Sequence, residues 1–282
     1  MNIAVTGLGQ VVLAPGERTI DPMQFLVARK TRKFMGVQDD LAVVAAARAV
    51  ASAGLTAPLG ERAGVFFAVG YIPFEETDMA PVLAGSIVDG QFSMRAFSEV
   101  GYQRAHPLLA FRCLPNMPVF HVSLNLGAQG PYIVAYPGPG QLYFALEQAC
   151  AALEVGAIDV ALVGGVAHQH NFLVEHHLAR TDDPVRPDDA RDAAGVLVLE
   201  RASDAGARVR LRLESMSVEY RPFDPLHETP ARRESFPVTA PPLAASMELG
   251  PATLPIALCE GHRTHRVETR DGLVCESTWS EP

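Results

Sequence analysis

Four cysteines, a histidine-rich stretch and a row of arginines are the side chains of this sequence with chemistry to offer. Cys113, Cys150, Cys259 and Cys275 stand far apart and form no CxxC pair, so the spacing fits reduced thiols and not a disulfide or metal framework. His168, His170, His176 and His177 follow an apolar run. Clustered imidazoles can ligate zinc, but no cysteine or carboxylate completes an evident tetrahedral set, and a structural or solvated cluster fits the same pattern. Arg208, Arg210 and Arg212 alternate with Val209, Leu211 and Leu213. That is a basic stripe on a half-exposed strand, either a solvated face or a contact for an acidic protein. The segment from Glu260 to His265 adds two more histidines just ahead of a hairpin signal.

These groups are carried on an alternation of apolar strands and helices. Asn2 to Leu13 reads as a strand broken by glycines, Asp39 to Ala53 as a buried helix stopped at Gly54, and Ala63 to Gly70 as a second strand. Ile158–Gly165 and Gly195–Glu200 are two more. Uninterrupted apolar runs predict strands buried on both faces, hence an α/β fold with a mostly parallel mixed sheet flanked by helices. The strand Tyr132–Tyr136 passes through Pro137-Gly-Pro-Gly140 into a helix from Gln141 to Val155, where Leu142, Ala145, Leu146, Ala149 and Leu153 share one face. Such a turn gathers helix N-terminal amides at the sheet's end and commonly carries function. Cys150 lies well inside that helix, where a buried thiol is inert. Residues 71–105 are less periodic and predict a lid-like loop with a short helix around Phe92–Val100. Ala207 to Tyr220 predicts the half-exposed strand. Residues 221–255 hold many of the 22 prolines and predict a surface wrap, and Asp271-Gly272 predicts a terminal hairpin.

Composition sets the outer bounds. The 282 residues are 48% hydrophobic and 20% charged, as in soluble globular proteins. A chain of this size buries roughly 73% of its extended surface, enough for a core without metal or disulfide staples. A formal charge of -9 argues against nucleic acid or anionic lipid as a partner. No apolar stretch approaches the ~20 residues of a membrane-spanning helix, and the start of the chain shows no secretory pattern, so the expected location is cytoplasmic.

Leu114-Pro-Asn-Met-Pro118, Gly130-Pro131, Ala149-Cys-Ala-Ala-Leu153 and Ala161-Leu-Val-Gly-Gly165 occur in the order and spacing of the N-terminal half of β-ketoacyl synthases, which this chain resembles. The resemblance implies the thiolase fold, with a ketosynthase-like half over residues 1–205 and a truncated second half over 206–282 made of a strand, a Pro-rich wrap and a hairpin. In that family the strand after Gly-Pro leads to a nucleophilic cysteine at a helix N-terminus, where backbone amides lower the thiol pKa and hold an oxyanion. An ungapped alignment from Gly130-Pro131 puts Pro139 at that cysteine's position. Proline has neither nucleophile nor N–H, so condensation by the family mechanism is excluded at this residue. The family's active members also use two histidines of the second half, and Glu260–His265 lacks the glycine pattern that follows the first of them.

A ketosynthase-like chain without its cysteine resembles the chain length factors of type II polyketide and aryl polyene systems. That resemblance implies a non-catalytic subunit, needing no cofactor or metal, that pairs with an active ketosynthase and meets an acyl carrier protein through the complex. Ala105, Leu108, Leu109 and Phe111 are its tunnel or gating candidates. Tyr132, Val134, Tyr136, Leu142 and Tyr143 are its interface candidates, because a lone thiolase half leaves an apolar surface that needs a cover. Two rival readings remain: a divergent acyltransferase or hydrolase using Cys150 or a histidine of His168–His177, and a homodimeric acyl-binding protein.

Overall fold

Strand β1 (Ile3–Val12) carries glycines because helix α1 (Val37–Ser52) lies directly on it. A Cβ on Gly7 would stand 2.2 Å from the Ala49 carbonyl oxygen, and one on Gly9 2.2 Å from that of Ala45. The computed structural model describes residues 2–181, 187–221, 249–268 and 272–282. Helix α1 begins where Asp39 Oδ2 accepts the Gly36 N–H at 2.7 Å, which satisfies one of the donors that a helix start leaves open.

Next comes β2 (Ala63–Val69), where Val65, Phe67 and Val69 face one core and Phe66 and Ala68 the other. That is the two-residue period of a strand with two dry faces. An excursion follows through α2 (Glu76–Ala84), the small β3 (Ile87–Val88) and β4 (Gln91–Phe92) pair, α3 (Met94–Ala96) and α4 (Leu109–Cys113). The predicted helix around Phe92–Val100 is in fact α3 followed by a π turn over Phe97–Gly101. The chain returns with α5 (Met117–Leu126), stopped by Gly127 at φ 61°, and reaches β5 (Tyr132–Ala135), α6 (Gln141–Glu154), β6 (Val160–Ala167) and α7 (Phe172–Thr181). β7 (Ala193–Arg201), α8 (Ala202–Ala205), β8 (Leu211–Tyr220), α9 (Thr253–Cys259), β9 (Thr264–Glu268) and β10 (Leu273–Ser280) complete it.

One eight-stranded mixed sheet runs β5-β2-β6-β7-β1-β8-β10-β9. α1 and α5 pack on one face, α6 and α9 on the other. The balance of directions differs from the expectation. Only β5–β2 and β2–β6 pair parallel, and every later neighbour is antiparallel. The apolar runs reported two-sided burial correctly, but burial does not encode direction, and β6, β7 and β1 are as dry when antiparallel as parallel strands are.

The apolar layer carrying α6 is closed by the chain itself. Leu213, Val267, Leu273, Cys275 and Trp279 from β8, β9 and β10 join the core that holds Leu142, Leu146 and Leu153. β9 and β10 are antiparallel neighbours, as the hairpin signal predicts. Asp271 of that signal and residues 222–248 of the Pro-rich stretch lie outside the described residues.

Candidate functional site

The parallel strands end together: Ala135 of β5 is level with Ala68 of β2, and Val69 of β2 with Val166 of β6. Carboxyl ends of neighbouring parallel strands are where α/β sheets place ligands. Three segments converge there, namely the turn Tyr136–Gly140 before α6, the loop Gly70–Glu75 after β2, and His168–Asn171 after β6.

The turn holds Gly138 at φ 102°, a left-handed conformation that favours glycine, and Pro139 is buried behind it. The Gln141, Leu142 and Tyr143 N–H groups donate back to the carbonyls of Gly138 (3.3 Å), Pro139 (3.4 Å) and Gly140 (3.1 Å). The first donors of α6 are thus engaged by the turn's own backbone, and Pro139 supplies none.

Burial holds three of the four thiols in the protonated form. Cys150 is buried on α6, and burial, with Glu154 and Glu147 nearby, pushes its pKa up to about 12. Burial lifts Cys113 and Cys259 to about 11. Cys275 is fully buried, its Sγ 3.8 Å from the Gly140 carbonyl oxygen.

The histidines separate into different environments. His168 is buried, with Nδ1 3.0 Å from Asp192 Oδ2 and Nε2 3.1 Å from Glu75 Oε1. Asp192 Oδ1 also accepts the N–H groups of Gln169 and His170. Burial opposes the charge on His168, yet the carboxylates of Asp192 and Glu75 together outweigh it and raise the pKa. Burial also works against the Asp192 charge, and His168 with the backbone donors overcomes it, holding Asp192 down at about 2. His177 meets the Tyr71 hydroxyl at 3.3 Å, and Tyr71 lies edge-on to Tyr136. His176 is exposed. Among the described residues no three His, Cys, Asp or Glu side chains converge as a metal site.

His265, from the Glu260–His265 stretch, is deep under α6. Its Nδ1 is 2.7 Å from the Tyr143 hydroxyl, which also reaches Ser277 Oγ at 3.0 Å. Burial lowers its pKa to about 4, leaving a neutral ring.

Two groups of candidates are redistributed. Tyr132 (65% exposed), Val134 and Tyr136 lie at the end of the sheet formed by β5, which has no second strand neighbour among the described residues. Leu142 and Tyr143 are fully buried in the chain's own core and present nothing to a partner, because β9 and β10 already cover that face. Leu109 is buried, Ala105 and Leu108 are half-buried, and Phe111 is exposed, edge-on to Phe34. The arginine stripe stays largely on the solvated side of β8 and its approach: Arg210 and Arg212 are exposed, Arg210 donating to the Ser52 carbonyl, and only Arg208 is half-buried, gripping Glu200 with both Nη atoms. Sequence reasoning missed Glu75 and Asp192, whose partner His168 is distant in the chain, and it missed the exposed cations Arg29, Lys30 and Lys33.

The sheet, its helix layers and the strand–turn–helix at Pro139 define a thiolase-like ketosynthase fold. Residues 6–205 match the model of the beta-ketoacyl synthase N-terminal domain, and the chain belongs to that family. Comparison with curated protein sequences yields no match. Among solved structures the chain is similar to one from the assembly "AntDE:AntF (apo): type II PKS acyl-carrier protein in complex with its ketosynthase bound to the hexaketide", at 15% identity and TM-score 0.71, covering 99% of each chain. It is also similar to the ishigamide ketosynthase/chain length factor at 20% identity and TM-score 0.55, covering 77% of this chain and 63% of that one. A beta-ketoacyl synthase from Burkholderia phymatum STM815 is similar at 16% identity and TM-score 0.60, covering 82% of this chain and 67% of that one.

Proposed function

We propose that this chain is a non-catalytic, chain-length-factor-like subunit that pairs with an active ketosynthase and helps shape the acyl tunnel. Pro139 carries the reading. It stands in the turn before α6 where the family's nucleophile belongs, with the helix's first donors tied to the turn itself. No acyl enzyme can form on an imino acid without a reactive side chain. The partner meets the β5 edge, where backbone unpaired among the described residues and Tyr132, Val134 and Tyr136 invite another strand. Phe120 and Leu124 of α5 and Phe144 of α6 extend that apolar face on both sides of the sheet. An exposed apolar run around a free strand edge marks an association surface. Within the complex, Phe111 and Leu109 of α4 limit the growing chain, and the exposed cations Arg29, Lys30 and Lys33 meet the acidic carrier protein.

The deciding experiment is native mass spectrometry of the protein expressed alone and beside the ketosynthase encoded nearest to it. A one-to-one complex supports the reading, as does a longer or broader product from the Phe111→Ala complex with condensation retained. A stable homodimer that ignores the ketosynthase overturns it.

A further inference from the structure

α4 has five residues, too few to hold a helix in place by its own hydrogen bonds. Its position depends on ties to other elements. Arg112 Nη2 reaches Asp78 Oδ1 of α2 at 3.2 Å, Cys113 Sγ lies 3.8 Å from the Pro73 carbonyl oxygen, and Phe111 rests edge-on against Phe34. Two of these three lead to the segment of loop and helix that begins after β2. That loop is fastened in turn at Tyr71, whose carbonyl accepts from Gln38 Nε2 at 2.8 Å, and at Glu75, the residue before α2, which meets His168 Nε2.

His168 is the fixed end of this series. Asp192 is fully buried and holds the ring from Nδ1 while accepting two backbone N–H groups. With Nδ1–H committed to one carboxylate, Nε2 donates to the other only as the imidazolium, and a cation between two carboxylates is the arrangement that makes such a bond strong. Glu75 is half exposed, and without His168 nothing else described ties its carboxylate to the sheet end.

We infer that His168 is a positioning residue for chain length: it anchors Glu75, the residue before α2, and through the Asp78–Arg112 pair sets where α4 presents Leu109 and Phe111. This rests on the gating role proposed for α4, and the experiment separates the two. Complexes with the ketosynthase carrying Glu75→Gln, Asp78→Asn, the swapped pair Asp78→Arg with Arg112→Asp, or Phe111→Ala are compared for product length by mass spectrometry and for amide hydrogen exchange over residues 109–113. Glu75 is half exposed and Asp78 partly so, and a thermal melt of each variant beside the parent establishes that it is folded. Glu75→Gln and Asp78→Asn are expected to speed exchange in α4 severalfold and to shift product length in the direction of Phe111→Ala, with the swapped pair returning toward the parent. Unchanged exchange over 109–113 overturns the positioning role. So does an unchanged product length in Glu75→Gln and Asp78→Asn while Phe111→Ala shifts it. If exchange rises but no variant, Phe111→Ala included, alters length, the gating reading fails and takes the chain-length role of His168 with it.

Discussion

Asp192 Oδ2 lies 3.0 Å from His168 Nδ1, with both groups buried where β6 ends and β7 is about to begin. The pair makes folding stability depend on pH in a definite direction. The His168 pKa is raised above its ordinary 6.5 by the two carboxylates, so its contribution is complete below about 6.5 and is lost as pH rises through the folded value. The Asp192 pKa is lowered to about 2, so its contribution is present above about 4 and is lost as pH falls. Between about 4 and 6.5 both act in full. In thermal melts, the stability advantage of the parent over His168→Gln should be largest near pH 6 and shrink toward pH 9. Removing one partner of a buried pair costs about 3–5 kcal/mol. Parallel curves for parent and variant would remove the ion pair from the account.

Asp40 works in the opposite sense. Its Oδ2 is 2.7 Å from Arg32 Nη2, but burial exceeds what that cation returns and pushes the pKa up to about 7. An acid harder to ionise in the folded state opposes folding as pH rises from about 4 through about 7. Asp40→Asn keeps the shape without the charge. It should match the parent below about pH 4 and draw ahead as pH rises, exceeding it by about 3–5 kcal/mol at pH 8 in urea denaturation. A variant weaker than the parent at pH 8 would mean that the Arg32 pair outweighs burial.

Thiol chemistry discriminates the rival enzyme reading. With Cys150 at about 12 and Cys113 and Cys259 at about 11, thiolate is scarce at neutral pH. The native protein incubated with an acyl thioester or iodoacetamide at pH 7.5 should keep its intact mass, and should take up four alkyl groups, one per cysteine, once denatured. An acyl adduct mapped to Cys150 in the native state would revive the transferase or hydrolase reading.

Much of this architecture was legible because it depends on local pattern. The apolar runs marked β1, β2, β6 and β7, the helical face from Leu142 to Leu153 marked α6, and Pro139 stood out against a family motif. What pattern could not carry was direction and distance. Val163 and Leu197 are equally apolar whichever way their strands run, so β6 and β7 pairing antiparallel left no local trace. His168 reads as one histidine among several until the fold brings Asp192 and Glu75, 24 and 93 residues away, to its two nitrogens. Leu142 and Tyr143 looked like interface residues because their cover, β9 and β10, comes from the far end of the chain. His265 and Ser277, which take up the Tyr143 hydroxyl, are 122 and 134 residues from it.

Charge reversal separates the two arginine-rich segments by what each one touches. Arg208 is bound to Glu200 by both Nη atoms, so Arg208→Glu should place two carboxylates together and lower the melting temperature, with no specific effect on carrier-protein binding. Arg29 and Lys30 are exposed, and Lys33 extends over the Phe34 ring with Nζ 4.8 Å from its centroid. In a chain of formal charge -9 such a group of cations is the complement an acidic protein needs. The double variant Arg29→Glu, Lys30→Glu should leave the melt unchanged and weaken binding of the carrier protein to the complex about tenfold at low salt, where a screening length of roughly 10 Å or more lets exposed charges act. The loss should shrink at high salt, because surface charges are then screened. Calorimetric titration at two ionic strengths reads both effects, and a loss that ignores salt, or no loss at all, would take carrier docking away from this segment.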